Sequence, residues 1–251
     1  MAKQARHDLI LKLATEHGYI SNEDLAKRCQ VTPQTIRRDL KELADKQQIS
    51  RHHGGATNTS VSNAAYSERR VMQQTQKQCI AAAICKIIPN HSSLFINIGT
   101  TTEEIAKGLL NHTGLQVITN NLNVAKILSH KEDFDVLIAS GSVRKDGGIV
   151  GQSTEDFMNQ FKVDFAILGI SGIDEDGSLL DYDYREVRVS QAIIKNSRQV
   201  LLAADHSKFG RNATIRLGNI IDVSQVFTDQ APNHVIKQLL EAHKINLNIC
   251  Q

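Results

Sequence analysis

The 251-residue sequence is poor in cysteine, proline and aromatic residues, with four cysteines, three prolines and no tryptophan. The cysteines are Cys29, Cys79, Cys85 and Cys250, and their spacing matches neither a zinc site nor a disulfide framework. We therefore expect reduced thiols, no metal site and no cofactor. No apolar stretch is long enough to span a bilayer, and the first ten residues lack a signal-peptide core, which together predict a cytoplasmic protein.

Positive charge is concentrated at one end of the sequence. The whole chain has a net charge of only +2, whereas residues 1–58 carry five Lys and five Arg against four Asp and three Glu, a local net charge of +3. Affinity for a polyanion must therefore come from this segment rather than from the whole surface.

Residues 32–40 (TPQTIRRDL) predict the helix on which the N-terminal segment depends. Thr32 is a good N-cap, and Pro33 suits the first helical position. At 3.6 residues per turn, Ile36, Leu40 and Leu43 share a buried face. The opposite face carries long polar donors: Gln34, Arg37, Arg38 and Lys41. Such donors bind base edges and phosphates in a DNA major groove, although an isolated basic helix is more often an ordinary solvated surface.

Two further helices and a hairpin surround this helix in the sequence. Residues 6–17 have helical apolar spacing, and Ser21 is expected to cap a second helix that ends near Cys29. Three short helices of this kind predict a helix-turn-helix. Residues 49–57 then predict two short strands around a Gly-Gly turn, a wing that carries Arg51, His52 and His53.

The segments TPQTIRRDL and RHHGGA resemble the winged helix-turn-helix of the DeoR family of bacterial repressors. The resemblance implies that Asp39 and Leu40 hold the third helix in place while its opposite face contacts DNA. We expect ten DNA-binding residues: Ser21, Thr32, Gln34, Thr35, Arg37, Arg38, Lys41, Arg51, His52 and His53. A symmetric operator implies at least a homodimer, and a tetramer remains open.

Composition divides the chain into two domains. Residues 58–68 are small and polar, as in a linker. We predict a DNA-binding domain over 1–58, a linker over 59–69 and a second domain over 70–251.

The second domain alternates apolar strands with helices, which predicts an α/β sandwich with a mainly parallel, Rossmann-like sheet. We expect helices at 70–88, 100–110, 122–128, 183–196 and 232–243. The expected strands are at 94–98, 116–119, 135–139, 165–170, 200–204 and 225–228.

Polar residues follow the predicted strands, where parallel sheets bind their ligands. Residues 99–102 (GTTT) offer backbone N–H groups and hydroxyls to an anion, and Lys208 offers a positive charge. A small phosphorylated polyol would suit this set. The candidate effector-binding residues are Gly99, Thr100, Thr101, Thr102, Asn120, Asn121, Gly141, Arg144, Asp181, Asp183, Asp205 and Lys208.

This half resembles the DeoR-type sensor domain, which is similar to sugar-phosphate isomerases. Asn97 stands where the family pattern has an aspartate, and Ser140 stands where it has a glycine. Within the family, the segments at 51–56, 119–125, 169–174 and 205–210 most resemble repressors that respond to glycerol 3-phosphate. The resemblance therefore implies a non-enzymatic repressor that glycerol 3-phosphate releases from operator DNA.

Three other interpretations stay open. The repressor could respond to a different sugar phosphate. The chain could instead be a sugar-phosphate isomerase with a regulatory appendage, in which Asp183, Glu186 and Asp205 act as acid/base groups. Asp205 and Lys208 could also be no more than a loop ion pair, worth about 0–1 kcal/mol if exposed.

Overall fold

A computed structural model describes residues 3–17, 19–46, 48–52, 55–58 and 66–251. The chain forms two compact units, residues 1–69 and 70–251. The first unit contains three helices and three strands before residue 59. They are α1 (Lys3–His17), β1 (Tyr19–Ser21), α2 (Asn22–Cys29), α3 (Pro33–Asp45), β2 (Ile49–His52) and β3 (Gly55–Asn58).

The three helices of the first unit pack because each contributes apolar residues to one core. Ile10 of α1, Leu25 of α2 and Ile36 of α3 are fully buried and belong to one hydrophobic cluster. β2 and β3 form an antiparallel hairpin, which is the predicted wing. The winged helix-turn-helix expected from the sequence is therefore confirmed.

β1 corrects one sequence-based expectation. Tyr19 and Ile20 are expected only to bridge two helices, but Tyr19–Ser21 pairs antiparallel with β3, so that Ser21 lies opposite Gly55. α2 begins at Asn22, directly after Ser21, which is the position that the sequence predicts for its cap. The partner strand lies more than thirty residues away in the chain, and local periodicity carries no information about it.

The second unit contains α4 (Tyr66–Val71), which crosses its boundary, and 18 further helices and strands in its described residues, apart from two short 3₁₀ turns. The helices are α5 (Gln74–Ile87), α6 (Thr100–Leu109), α7 (Leu122–Leu128), α8 (Gln152–Met158), α9 (Tyr184–Lys195) and α10 (His234–Ala242). The strands are β4 (Ser93–Ile96), β5 (Gln116–Thr119), β6 (Asp135–Ile138), β7 (Ser142–Val143), β8 (Ile149–Val150), β9 (Val163–Gly169), β10 (Gly172–Ile173), β11 (Ser178–Asp181), β12 (Ser197–Ala203), β13 (Ile215–Asn219), β14 (Gln225–Thr228) and β15 (Asn246–Ile249).

Seven of these strands form a parallel sheet in the order β15-β14-β12-β9-β4-β5-β6. The chain runs outward from β4 through β5 to β6 and then returns to the other side of β4 at β9. Such a reversal of strand order leaves a crevice at the carboxyl ends of the two strands, here β4 and β9. The strand order therefore makes the crevice between β4 and β9 the candidate binding site of this unit.

The sheet is covered on both faces because its strands alternate. Leu94 and Ile96 of β4 pack with helices α5, α6 and α7, whereas Phe95 between them packs with α8, α9 and α10. All three side chains are fully buried. The predicted α/β sandwich is confirmed.

Several elements differ from the sequence-based expectation. The single helix expected at 70–88 is two helices, because Gln73 adopts the left-handed conformation (φ 52°) between α4 and α5. α4 also occupies the end of the expected linker, whose residues 59–65 lie outside the described residues. Helix α8 and six strands were not predicted, and these strands are β7, β8, β10, β11, β13 and β15. Five of these six have at most four residues, too few for a periodic signal.

Asp39 joins the first and third helices of the N-terminal unit. Its carboxylate accepts hydrogen bonds from Arg6 Nε at 2.5 Å, from Arg6 Nη2 at 3.1 Å and from His7 Nε2 at 3.2 Å. All three residues are buried. Burial alone would raise the pKa of Asp39, but the bonds from Arg6 and His7 outweigh it and lower the pKa. The stabilising contribution of Asp39 is thus present above the ordinary carboxyl pKa and is lost as pH falls through the lowered value.

We expect Asp39→Asn to destabilise the first unit by about 3 kcal/mol, because it removes the charge that compensates the buried Arg6. Hydrogen exchange of α1 and α3 amides in the full chain measures this loss. Asp45→Asn, on an exposed position of the same helix, is the matched control. Equal protection in the two variants would contradict a structural role for Asp39.

Candidate functional site

The start of α3 is fixed by its own side chains. Thr32 Oγ1 accepts a hydrogen bond from the backbone N–H of Thr35 at 3.3 Å, and the two hydroxyls lie 3.0 Å apart. Pro33 takes the first helical position, where its missing N–H is not needed. Thr32 and Thr35 therefore set where the helix begins and which way its polar face points.

The polar face of α3 is available to a ligand. Its donors are all exposed: Gln34, Arg37, Arg38 and Lys41. The Arg38 side chain is 85% exposed, and its nearest carboxylate, Glu42, lies 3.9 Å away. An exposed ion pair of this length contributes little free energy, so it does not prevent Arg38 from binding DNA.

The wing lies beside this helix in the same unit. Arg51 and His52 are in β2, opposite Ala56 and Gly55 of β3. His53 lies outside the described residues, as do the side chains of Ser21, Arg51 and His52. The described part of the unit thus combines an exposed cationic helix with an adjacent hairpin, an arrangement that can dock into a groove and contact its phosphate backbone.

In the second unit, the loop from β4 to α6 lies at the crevice. α6 begins at Thr100, and Gly99 precedes it without a side-chain cap, so the N–H groups of its first turn point out of the helix. Thr102, expected to bind the effector, is instead fully buried, and its hydroxyl lies within 2.9 Å of the Asn97 carbonyl and 2.8 Å of the Gly99 carbonyl. Thr102 therefore holds the loop, which leaves Gly99, Thr100 and Thr101 as the candidate anion cradle.

Asn97 connects the two strands that border the crevice. Its side-chain Nδ2 donates to the Gly169 carbonyl at 3.0 Å, and its Oδ1 accepts from the Gly169 N–H at 2.8 Å. Sequence reasoning noted Asn97 only as a departure from the family pattern. A carboxylate could not make both bonds, because it has no proton to donate.

The two asparagines after β5 have different roles. Asn121 Oδ1 caps α7 by accepting from the N–H groups of Asn123 and Val124, and its amide donates to Glu103 at 3.4 Å. Asn121 is thus a structural cap rather than an exposed ligand. Asn120 donates to the Ile149 carbonyl at 3.0 Å, and its Oδ1 is buried with no hydrogen-bond partner in the described part of the chain. An acceptor left in this state calls for a donor from a ligand or water.

Gly141 supplies backbone geometry after β6. Its φ of 149° is a conformation that other residues rarely adopt, and a Cβ there would lie 2.2 Å from Thr154 Oγ1. Thr154 in turn donates to the Ser140 carbonyl at 2.7 Å. Gly141 therefore shapes the turn that leads to Arg144.

Arg144 is surrounded by acids and is not a free cation for a phosphate, contrary to expectation. It donates to Asp146 at 2.5 and 3.1 Å, to Asp183 at 3.4 Å and, over a very short contact, to Glu186. Burial opposes its charge, but Asp146 and Glu186 outweigh this effect and raise the pKa of Arg144. Arg144 thus ties the β7–β8 hairpin to the first turn of α9. Sequence alone cannot pair residues about forty positions apart.

Two carboxyl groups here are buried, Glu186 within the ion-pair cluster and Asp181 near it. Burial, followed by the neighbouring charge of Asp181, raises the pKa of Glu186 to about 8. Burial likewise raises the pKa of Asp181. Glu186 therefore holds a proton near neutral pH, which lets its carboxyl group donate as well as accept a hydrogen bond.

The residues after β12 form a separate part of the crevice edge. Asp205 is 1% exposed and accepts from the Ser207 N–H at 3.0 Å, which caps the 3₁₀ turn His206–Lys208. Lys208 is half-buried and already has a polar contact of its own. His206 is not among the residues predicted from the sequence. Its Nδ1 lies 2.6 Å from Oδ2 of Asp229. β12 is two strands from β4, or about 10 Å, so this loop lies beside the cradle rather than within it.

Two other types of site are absent from the described residues. Within the described ranges, no group of three or more His, Cys, Asp or Glu residues has the arrangement of a metal site. No helix in those ranges is long and apolar enough to cross a membrane.

Comparison with known proteins identifies both units. Residues 6–61 match the DeoR-like helix-turn-helix domain, and residues 72–230 match the DeoR C-terminal sensor domain. The chain is 52% identical to the glycerol-3-phosphate regulon repressor of Escherichia coli (strain K12), with 100% of both chains covered. It is 51% identical to the repressor of the same name from Haemophilus influenzae, with 100% of this chain and 98% of that one covered.

A similarity to solved structures is much weaker. The ribose 5-phosphate isomerase A of Methanocaldococcus jannaschii aligns over 55% of each chain at 14% identity and a TM-score of 0.41. Similarity at this level bears on neither activity nor ligand.

We expect the stability of the second unit to fall as pH rises from about 4.5 to about 8, because folded Glu186 keeps a proton that the unfolded chain has lost. Glu186→Gln should flatten this dependence, since the amide does not titrate. Calorimetric melting across that pH range measures the slope, with Glu132→Gln at an exposed position as the control. An unchanged slope in Glu186→Gln would show that Glu186 is ionised when folded.

Proposed function

Because this chain belongs to the DeoR family of DNA-binding transcriptional repressors, we propose that it represses genes of glycerol 3-phosphate metabolism and that glycerol 3-phosphate releases it from their operators. One observation carries the assignment: the chain is more than half identical, over its full length, to two repressors named for the glycerol-3-phosphate regulon. Such a repressor would act in the cytoplasm, where the operators of a bacterium lie.

In this proposal α3 enters the major groove of the operator. Gln34, Arg37, Arg38 and Lys41 face the bases and nearby phosphates, which is supported by their exposure on one side of the helix. Ser21, Thr32 and Thr35 lie at helix starts, where hydroxyls can reach phosphates, and the wing residues Arg51, His52 and His53 follow the backbone. A two-fold operator needs two such modules, so the repressor acts as a homodimer or a larger assembly.

Arg38→Ala should weaken binding to operator DNA by about 1–3 kcal/mol while leaving effector binding intact, because Arg38 is a free donor on the groove-facing surface. Fluorescence anisotropy with promoter fragments of glycerol-metabolism genes measures the loss. Arg198→Ala removes another exposed positive charge, from the second unit, and controls for net charge. If both variants bind operator equally well, Arg38 does not contact DNA.

We propose that the effector binds at the crevice between β4 and β9. The first-turn N–H groups of α6 and the hydroxyls of Thr100 and Thr101 bind its phosphate. The unpartnered Asn120 Oδ1 accepts from one of its hydroxyl groups, which is the strongest structural support for a ligand here. Asp181 and Asp183 lie near the polyol end, Asp205 and Lys208 border the crevice, and Thr102, Asn121, Gly141 and Arg144 hold its walls in place.

Release requires that the effector bind one conformation of the repressor more tightly than the other. We expect saturating glycerol 3-phosphate to lower operator affinity at least tenfold, whereas glycerol, which lacks the phosphate, should not. The same anisotropy titration at fixed ionic strength checks this. Unchanged operator affinity would rule out glycerol 3-phosphate as the effector, and release by another phosphorylated sugar would identify the alternative.

A second candidate, isomerisation of a sugar phosphate, is favoured by one feature, the buried carboxyl groups of Asp181 and Glu186, whose pKa values burial raises. A base of this kind needs a substrate with a carbonyl group, and glycerol 3-phosphate has none. We therefore assign the pair to hydroxyl binding and propose that the chain is not an enzyme. Interconversion of an aldose phosphate and a ketose phosphate by the purified protein would overturn this assignment.

A further inference from the structure

Lys77, in the first turns of α5, is a charged residue that the proposed function leaves without a role. It is only 4% exposed, although lysine is rarely buried in proteins. It belongs to the inward stripe of the helix with Ile80, Ala81 and Ile84, which are also buried. The charge of Lys77 therefore lies at one end of an otherwise apolar helix face.

The position of Lys77 follows from the way α5 and α6 pack. α5 ends shortly before β4 begins, and α6 starts just after β4 ends, so both helices run from the carboxyl edge of the sheet to its amino edge. Cys85 Sγ of α5 lies 3.6 Å from the carbonyl oxygen of Ile105 in α6. A Cβ on Gly108 would lie 2.7 Å from the same sulfur atom. The two helices are thus parallel neighbours, in register at this level.

Counting back along both helices places Lys77 beside the anion cradle. Lys77 is eight residues before Cys85 in α5, and Thr100 is eight residues before Gly108 in α6. Eight residues rise about 12 Å in either helix. Lys77 is therefore level with the loop that contains Gly99 and with the first turn of α6.

The other cations near the crevice are less suited to a phosphate in the cradle. Arg144 is occupied by the acidic side chains of Asp146, Asp183 and Glu186. Lys208 follows β12, two strands from β4. Of these three cations, only Lys77 is both buried and level with the N-terminus of α6.

We propose that Lys77 binds the phosphate of the effector, together with the first-turn N–H groups of α6. This inference rests on the proposed effector site and names the residue that supplies its positive charge. Lys77 already takes part in a polar interaction, but an ammonium group has three donors and can bind a phosphate oxygen as well. Buried in this way, it would favour phosphorylated over unphosphorylated polyols, because a charge-assisted bond is stronger when little water competes.

The test compares Lys77→Gln with Lys86→Gln, which removes an exposed lysine from the last turn of the same helix. Isothermal titration measures the binding of glycerol 3-phosphate and of inorganic phosphate to the full chain. We expect Lys77→Gln to weaken both at least about tenfold with operator affinity unchanged, and Lys86→Gln to bind as the unmodified chain does. Unweakened binding by Lys77→Gln would overturn the inference.

Two further measurements keep the outcome clear. If Lys77→Gln does not fold, Lys77→Met retains the apolar stem, and ¹³C-lysine NMR of the unmodified chain should show the Lys77 signal moving with inorganic phosphate but not with glycerol. A stationary signal would overturn the inference. If the unmodified chain binds phosphate but not glycerol 3-phosphate, the proposed effector is wrong. The role of Lys77 is then decided by the titration with inorganic phosphate alone.

Discussion

The sensor unit depends on the two hydrogen bonds between the Asn97 side chain and the backbone of Gly169. They join β4 to β9 at the point where the strand order reverses and where a parallel sheet would otherwise open. An amide satisfies both the N–H and the carbonyl of Gly169, whereas a carboxylate would leave the carbonyl facing a negative charge. The loop from Gly99 onward starts from this fixed point, so the geometry of the anion cradle follows from it.

The sequence predicted the central strands well because burial on both faces requires continuous apolar runs. β5 and β14 begin and end where the sequence placed them, and α7 does so too. The short strands β10 and β11 were not predicted, although the Asp176-Gly177 pair between them is a hairpin signal from which they could have been predicted. Their stability comes from contacts with distant segments such as β13 rather than from their own composition.

The sequence also placed most of the candidate effector-binding residues in the loops that follow the strands, as the structure does, but it could not separate residues that hold these loops from residues free to bind a ligand. Thr102, Asn121 and Arg144 have side chains as polar as any ligand, yet each is used by a partner distant in sequence or by the local backbone. Asn120, one residue before Asn121, instead has a side-chain oxygen without a hydrogen-bond partner among the described residues. Only the three-dimensional pairing separates these neighbours, since residue type and position are nearly the same.

The short outer strands of the parallel sheet affect how the protein behaves at high concentration. β6 and β15 each pair with one neighbour within the described sheet, which leaves a row of backbone groups facing outward on both sides. Each strand is only four residues long, and polar side chains interrupt both, among them Asp135 and Asn248. Brief, polar borders discourage edge-to-edge aggregation. Replacing Asp135 or Asn248 with valine would lengthen the apolar border and favour insoluble association without touching either binding surface.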